Sequence, residues 1–77
     1  MGKRRITEKL IYKDYPVIEC GFCNRTYLAL RRNNINDLYS LIHRYNNGDI
    51  IALRGIGKMS SDEIEDYFLR NFLGMQE

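Results

Sequence analysis

The stretch Leu53-Arg54-Gly55-Ile56-Gly57-Lys58-Met59-Ser60 constrains this chain more than any other. Two glycines flank one aliphatic residue between apolar segments. Gly55 and Gly57 permit positive φ and let another backbone approach closely. Ile56 is then placed to plug into a small core. A helix that begins just beyond turns its first N–H groups outward. That end carries about half a positive charge and takes phosphate readily. Lys58 adds a full charge at the same place. A contact of this kind grips a nucleic-acid backbone without reading its sequence. The plainer alternative is a tight helix–helix turn with no ligand.

The residues around it read as short helices. Tyr27, Leu28 and Leu30 support a first helix over 24–33, stopped by Asn33-Asn34. Asn36 stands as the N-cap of a second helix over 37–45. Its apolar residues Leu38, Leu41, Ile42 and Tyr45 repeat at i, i+3, i+4 and i+7. Asn46-Asn47-Gly48 breaks the chain. Ile50-Ile51-Ala52-Leu53 fits a strand or one to two turns of helix, and Asp49 in the first turn favours helix. Ser60 and Glu63 form an S-x-x-E capping box for the last helix. Asp62, Glu63, Glu65 and Asp66 crowd its positive end, while Ile64, Tyr67, Phe68 and Phe72 make a core stripe. Gly74 suits its stop. Pro16 disfavours helix at Tyr15 and opens the domain, with 16–23 as an irregular lead-in. The fold class expected is all-α, a compact bundle of four short helices.

Seventy-seven residues make one domain. A chain of this size buries about 60% of its unfolded surface. The net charge of +2 is unevenly spread. Residues 1–16 hold five basic and two acidic groups; the rest hold seven and eight. A basic, flexible arm over 1–15 thus precedes a near-neutral body over 16–77. Such arms touch nucleic acid or simply solubilise. No apolar run approaches the roughly 20 residues of a membrane span. No apolar stretch of the secretory type follows the basic N-terminus either. The expectation is a cytoplasmic protein.

Cys20-Gly21-Phe22-Cys23 is a C-x-x-C. As a zinc half-site it has only His43 to join it, and zinc takes four ligands. As a redox pair it lacks a βαβ setting. The thiols read instead as small hydrophobes. His43 lies on the polar flank of its helix. No carboxylate pair or nucleophile–base set appears, so neither enzymatic activity, nor a cofactor, nor a metal is expected.

The pattern from Ile50 to Ile64, with Gly55-Ile56-Gly57, Ser60 and Ile64 in fixed spacing, resembles the helix-hairpin-helix of DNA repair and transcription proteins. More widely, residues 16–74 resemble the C-terminal domain of the bacterial RNA polymerase α subunit. Pro16-Val17, Phe22 to Leu30, Ile35, Leu41, Leu53 to Ser60 and Glu63-Ile64 keep the register of that family without gaps. The resemblance implies a non-catalytic, transcription-related domain in the bacterial cytoplasm. Its implied ligand is the minor groove of A/T-rich double-stranded DNA, where negative potential attracts a guanidinium. RNA polymerase or a transcription regulator is the implied protein partner. Arg25 stands in the groove-entering position, and Gly57, Ser60 and Glu63 match the hairpin positions. Gly55, Lys58 and Arg31 complete the expected DNA-binding set.

Three positions depart from the family. Leu28 replaces a DNA-contacting asparagine, Met59 a lysine before the hairpin serine, and Gly55 an asparagine. Lys58 and Arg54 compensate by charge. If Leu28 and Met59 are exposed, they form an apolar patch beside the hairpin. The alternative function is therefore a protein-interaction module on the same fold, with weak or no DNA binding.

Overall fold

The computed structural model describes residues 5–73. Among these residues three α-helices carry the fold: α1 (Asn24–Arg32), α2 (Leu38–Asn46) and α3 (Lys58–Phe68). Short 3-10 turns occupy Leu10–Asp14, Val17–Cys20 and Ile50–Ala52, and a π turn, Leu69–Leu73, extends α3. No strand occurs among the described residues, which leaves an all-helical domain. The expected stop at Gly74 lies outside them.

The fourth helix of the expected bundle does not form. Ile50–Ala52 is a single 3-10 turn that ends where Leu53 becomes extended (φ −70°, ψ 142°). Gly48 (φ +75°) and Gly55 (φ +85°) break the backbone on either side. The segment between them is too short to repay the cost of nucleating an α-helix. Its apolar side chains are used nonetheless. Ile50 and Leu53 are buried, and Ile56 inserts into the core as its flanking glycines suggest.

α2 begins one residue later than its sequence suggests. Asp37, not Asn36, is the N-cap, and its Oδ1 accepts the Ser40 N–H at 2.8 Å. The Asn36 carbonyl is already taken by the Val17 N–H at 2.9 Å, and the Leu38 N–H donates to Tyr15 O at 2.8 Å. These bonds pair Asp37 with Pro16 of the lead-in in an antiparallel bridge, so the helix starts after Asp37. Leu38, Leu41, Ile42 and Tyr45 form the buried stripe their spacing predicts.

α3 supplies the other half of the core. Ile64 and Phe68, one turn apart, are fully buried, and the Phe68 ring lies 4.6 Å from that of Tyr45. Phe68 also meets Tyr67 and Phe72, and Tyr67 reaches Phe22 of the lead-in at 5.2 Å. Burying each such side chain contributes about 1.5–3 kcal/mol.

The N-terminal segment lies along α2 in the opposite direction. Lys13 Nζ sits 5.1 Å from the Tyr39 ring centre, Glu8 Oε1 lies 3.3 Å from His43 Nδ1, and the Asn46 side chain brackets Ile6. Tyr39, His43 and Asn46 recur at i, i+4 and i+7, so one face of α2 receives the segment. Ile6 is 4% exposed. The packed body thus begins ten residues before Pro16, within the stretch expected to be a flexible arm. No described helix is long and apolar enough to cross a membrane.

Candidate nucleic-acid interface

The glycine loop is pinned to α1. Gly55 adopts a left-handed φ of +85°, where L side chains are strained. A Cβ placed on it would stand 3.6 Å from the Ala29 Cβ, so the loop backbone passes close over α1. Asn33 ties the same two pieces together. Its Nδ2 donates to Ala29 O at 2.8 Å and to Arg54 O at 2.9 Å. The second glycine behaves differently from the sequence expectation. Gly57 has φ −99° and ψ −170°, extended backbone that needs no glycine freedom. It serves as the N-cap of α3, a position glycine favours.

α3 therefore starts before the expected capping box. Its N-cap carries no side-chain hydrogen bond, and Ser60 is its third residue, 5% exposed. Ser60 and Glu63 turn toward α1 instead. Glu63 Oε2 accepts the backbone N–H of Cys23, the N-cap of α1, at 2.8 Å. Glu63 Oε1 lies 2.7 Å from Thr26 Oγ1 and accepts from the Cys23 thiol at 3.4 Å. Thr26, fully buried, also lies 2.9 Å from Ser60 Oγ. A carboxylate only accepts, so it takes the single Thr26 hydroxyl proton, and Ser60 donates to Thr26. The capping carboxylate is genuine, but it caps α1 across the helix interface rather than α3. Burial pushes the Glu63 carboxyl up; the bonds from Thr26 and Cys23 outweigh it and hold the group below the ordinary glutamate range.

A groove of about 390 Å³ opens over this network, lined by Cys23, Arg25, Thr26, Met59, Ser60 and Glu63. Two helix N-termini converge on it. α1 contributes Arg25, its second residue, exposed and without an ion-pair partner among the described residues. α3 contributes its uncapped first turn, whose N–H groups carry the positive end of the dipole. Of the expected site residues, Arg25, Ser60 and Glu63 thus share one groove. Gly55, Gly57 and Lys58 lead the chain into it. Lys58 is exposed and pairs with Asp62 at 3.2 Å. Arg31 is not part of the assembly. It lies on the Tyr27 side of α1, where its Nη1 donates to the Tyr27 hydroxyl at 2.7 Å. Leu28 and Met59 are exposed, at 45% and 82%.

Sequence reasoning missed Thr26, which lines the groove and joins Ser60 and Glu63 beneath it. Thr26 had a signal: it sits at N3 of α1, where a polar side chain serves the helix start. The two thiols have different partners. Cys20 is half-buried beside Tyr67, and burial raises its pKa, while Cys23 bonds to Glu63. Among the described residues no group of three His, Cys, Asp or Glu side chains is placed to hold a metal.

No protein-family model, no curated protein and no solved structure matches this chain.

Proposed function

We propose that this chain is a non-catalytic, helix-hairpin-helix DNA-binding domain related to transcription. The observation that carries the reading is the groove itself. Arg25 and the uncapped N-terminus of α3 border the same opening, which suits a guanidinium in the minor groove beside an anchored phosphate. Gly55 fixes the loop on α1, Gly57 and Lys58 lead into the helix end, and Ser60 and Glu63 brace Thr26 beneath it. The ligand is A/T-rich double-stranded DNA. The setting is the bacterial cytoplasm, with RNA polymerase or a transcription regulator as protein partner.

A second reading has an observation of its own. Met59, at the groove, and Leu28, on α1, are both exposed apolar side chains. That arrangement favours a protein-interaction module using the same surface.

The two are separated by titrating labelled protein with A/T-rich and G/C-rich duplexes at two salt concentrations, with Arg25→Ala alongside. Amide shifts at Arg25 and at residues 55–60, weakened by salt and by the substitution, support DNA binding. Amides that stay still at low salt in excess DNA remove that reading and leave the protein-interaction module.

A further inference from the structure

On the basis of the DNA-binding reading, we propose that Arg32 and Arg54 form a second contact to the DNA backbone, toward the C-terminal end of α1 from Arg25. Neither residue belongs to the groove. Their placement follows from three observations. First, Arg25, Ala29 and Arg32 recur at i, i+4 and i+7 on α1, so they share one flank of the helix. Second, the loop meets that flank at its middle residue, because Gly55 packs over Ala29. Third, Asn33 donates to the Arg54 carbonyl, which holds the Arg54 main chain against the C-terminal part of α1, the end that carries Arg32.

The result is a linear arrangement. Arg25 lies toward the N-terminal end of α1 from the point where Gly55 meets Ala29, and Arg32 lies toward the C-terminal end, where Arg54 begins the loop. At about 1.5 Å of rise per residue, Arg25 and Arg32 stand about 10 Å apart along the helix. That is about the axial rise of three nucleotides along one DNA strand. Both guanidinium side chains are exposed, and neither has an ion pair among the described residues. No acidic residue lies in α1 or in the loop 53–58. A backbone held at Arg25 and at the start of α3 therefore continues toward two unneutralised cations.

Backbone contacts of this type carry charge but no base readout. Their removal lowers the salt dependence of binding without changing sequence preference. Each lost phosphate contact reduces the slope of log K against log salt by about 0.9. The double substitution Arg32→Gln, Arg54→Gln leaves the Asn33 bond intact, since that bond uses the Arg54 main chain. Folding is checked by an unchanged melting temperature.

The experiment measures duplex affinity over a series of salt concentrations for the wild type, Arg25→Ala and the double variant. A/T-rich and G/C-rich duplexes are compared. The expected result is a slope smaller by about 1.8 in the double variant, by the same amount on both duplexes. An unchanged slope, with Arg25→Ala still weakening binding, overturns this inference and leaves the DNA-binding reading standing. No duplex binding by the wild type at low salt overturns both.

Discussion

Glu63, in the second turn of α3, accepts a 2.8 Å hydrogen bond from the backbone N–H of Cys23, the N-cap of α1. One helix thus caps another. The same carboxylate takes the proton of Thr26, whose side chain is fully buried. Removing Glu63 leaves that hydroxyl and the Cys23 N–H without their acceptor. Glu63→Ala is expected to cost about 1–3 kcal/mol, the range for a buried polar group left unsatisfied. Glu63→Gln keeps an acceptor oxygen and is expected to cost less. Urea denaturation of the three proteins checks the order. Equal stability of Glu63→Ala and wild type would show that the network carries no net stability.

The same carboxylate makes stability depend on pH. Its hydrogen bonds hold it below the ordinary glutamate range despite burial, so the folded protein binds this proton less readily than the unfolded chain. Stability is then fully present above the ordinary carboxylate range and is lost as pH falls through it. Glu8 acts in the same direction, lowered first by the Asn46 side-chain bond and then by His43. The urea midpoint is expected to fall from about pH 5 downward. In Glu63→Gln that fall should be shallower. A midpoint that declines equally in both proteins would assign the acid sensitivity to other groups.

The periodic parts of the fold were legible in the sequence. The stripe Leu38, Leu41, Ile42 and Tyr45 and the pair Ile64 and Phe68 are buried as their helical spacing predicts, and Ile56 enters the core. What escaped were choices settled by tertiary partners. Ser60 and Glu63 match a local capping box, yet Thr26 lies within reach and both turn to α1. Asn36 and Asp37 are both good N-caps, and the Val17 N–H, which occupies the Asn36 carbonyl, decides for Asp37. The N-terminal segment has no helical period to betray its docking. Its anchors, among them Ile6 and the amide of Asn46, are contacts that sequence spacing does not reveal. For the groove, Arg25 and Ser60 were legible from the resemblance, and Thr26, which shapes it, was not.

The two glycines of the loop are expected to tolerate substitution differently. Gly55→Ala forces an L residue into φ +85°, at a cost of about 1–2 kcal/mol. The cost is conformational, since 3.6 Å to the Ala29 Cβ is ordinary contact. Gly57→Ala meets nothing within 4 Å and keeps a permitted φ. It loses only a modest N-cap preference, about 1 kcal/mol or less. Thermal unfolding of both variants checks the contrast. A larger loss at Gly57 would mean that the loop is not held as described.

Asn46 is expected to control the docking of the N-terminal segment without controlling the core. Its Oδ1 accepts the Ile6 N–H at 2.9 Å, and its Nδ2 donates to Ile6 O at 2.8 Å and to Glu8 Oε2 at 3.0 Å. One amide side chain therefore satisfies both main-chain groups of a residue whose own side chain is buried. In Asn46→Ala those groups lose their partners, and the segment is expected to open locally. The cost is about 1–3 kcal/mol, offset in part because the opened backbone bonds to water. Hydrogen exchange separates this local opening from global unfolding. The Ile6 amide should lose protection by a far larger factor than the amides of Leu41 and Ile42, which lie inside α2. Uniform loss at all three would show that residues 6–15 are an integral part of the cooperative core rather than a segment strapped onto it.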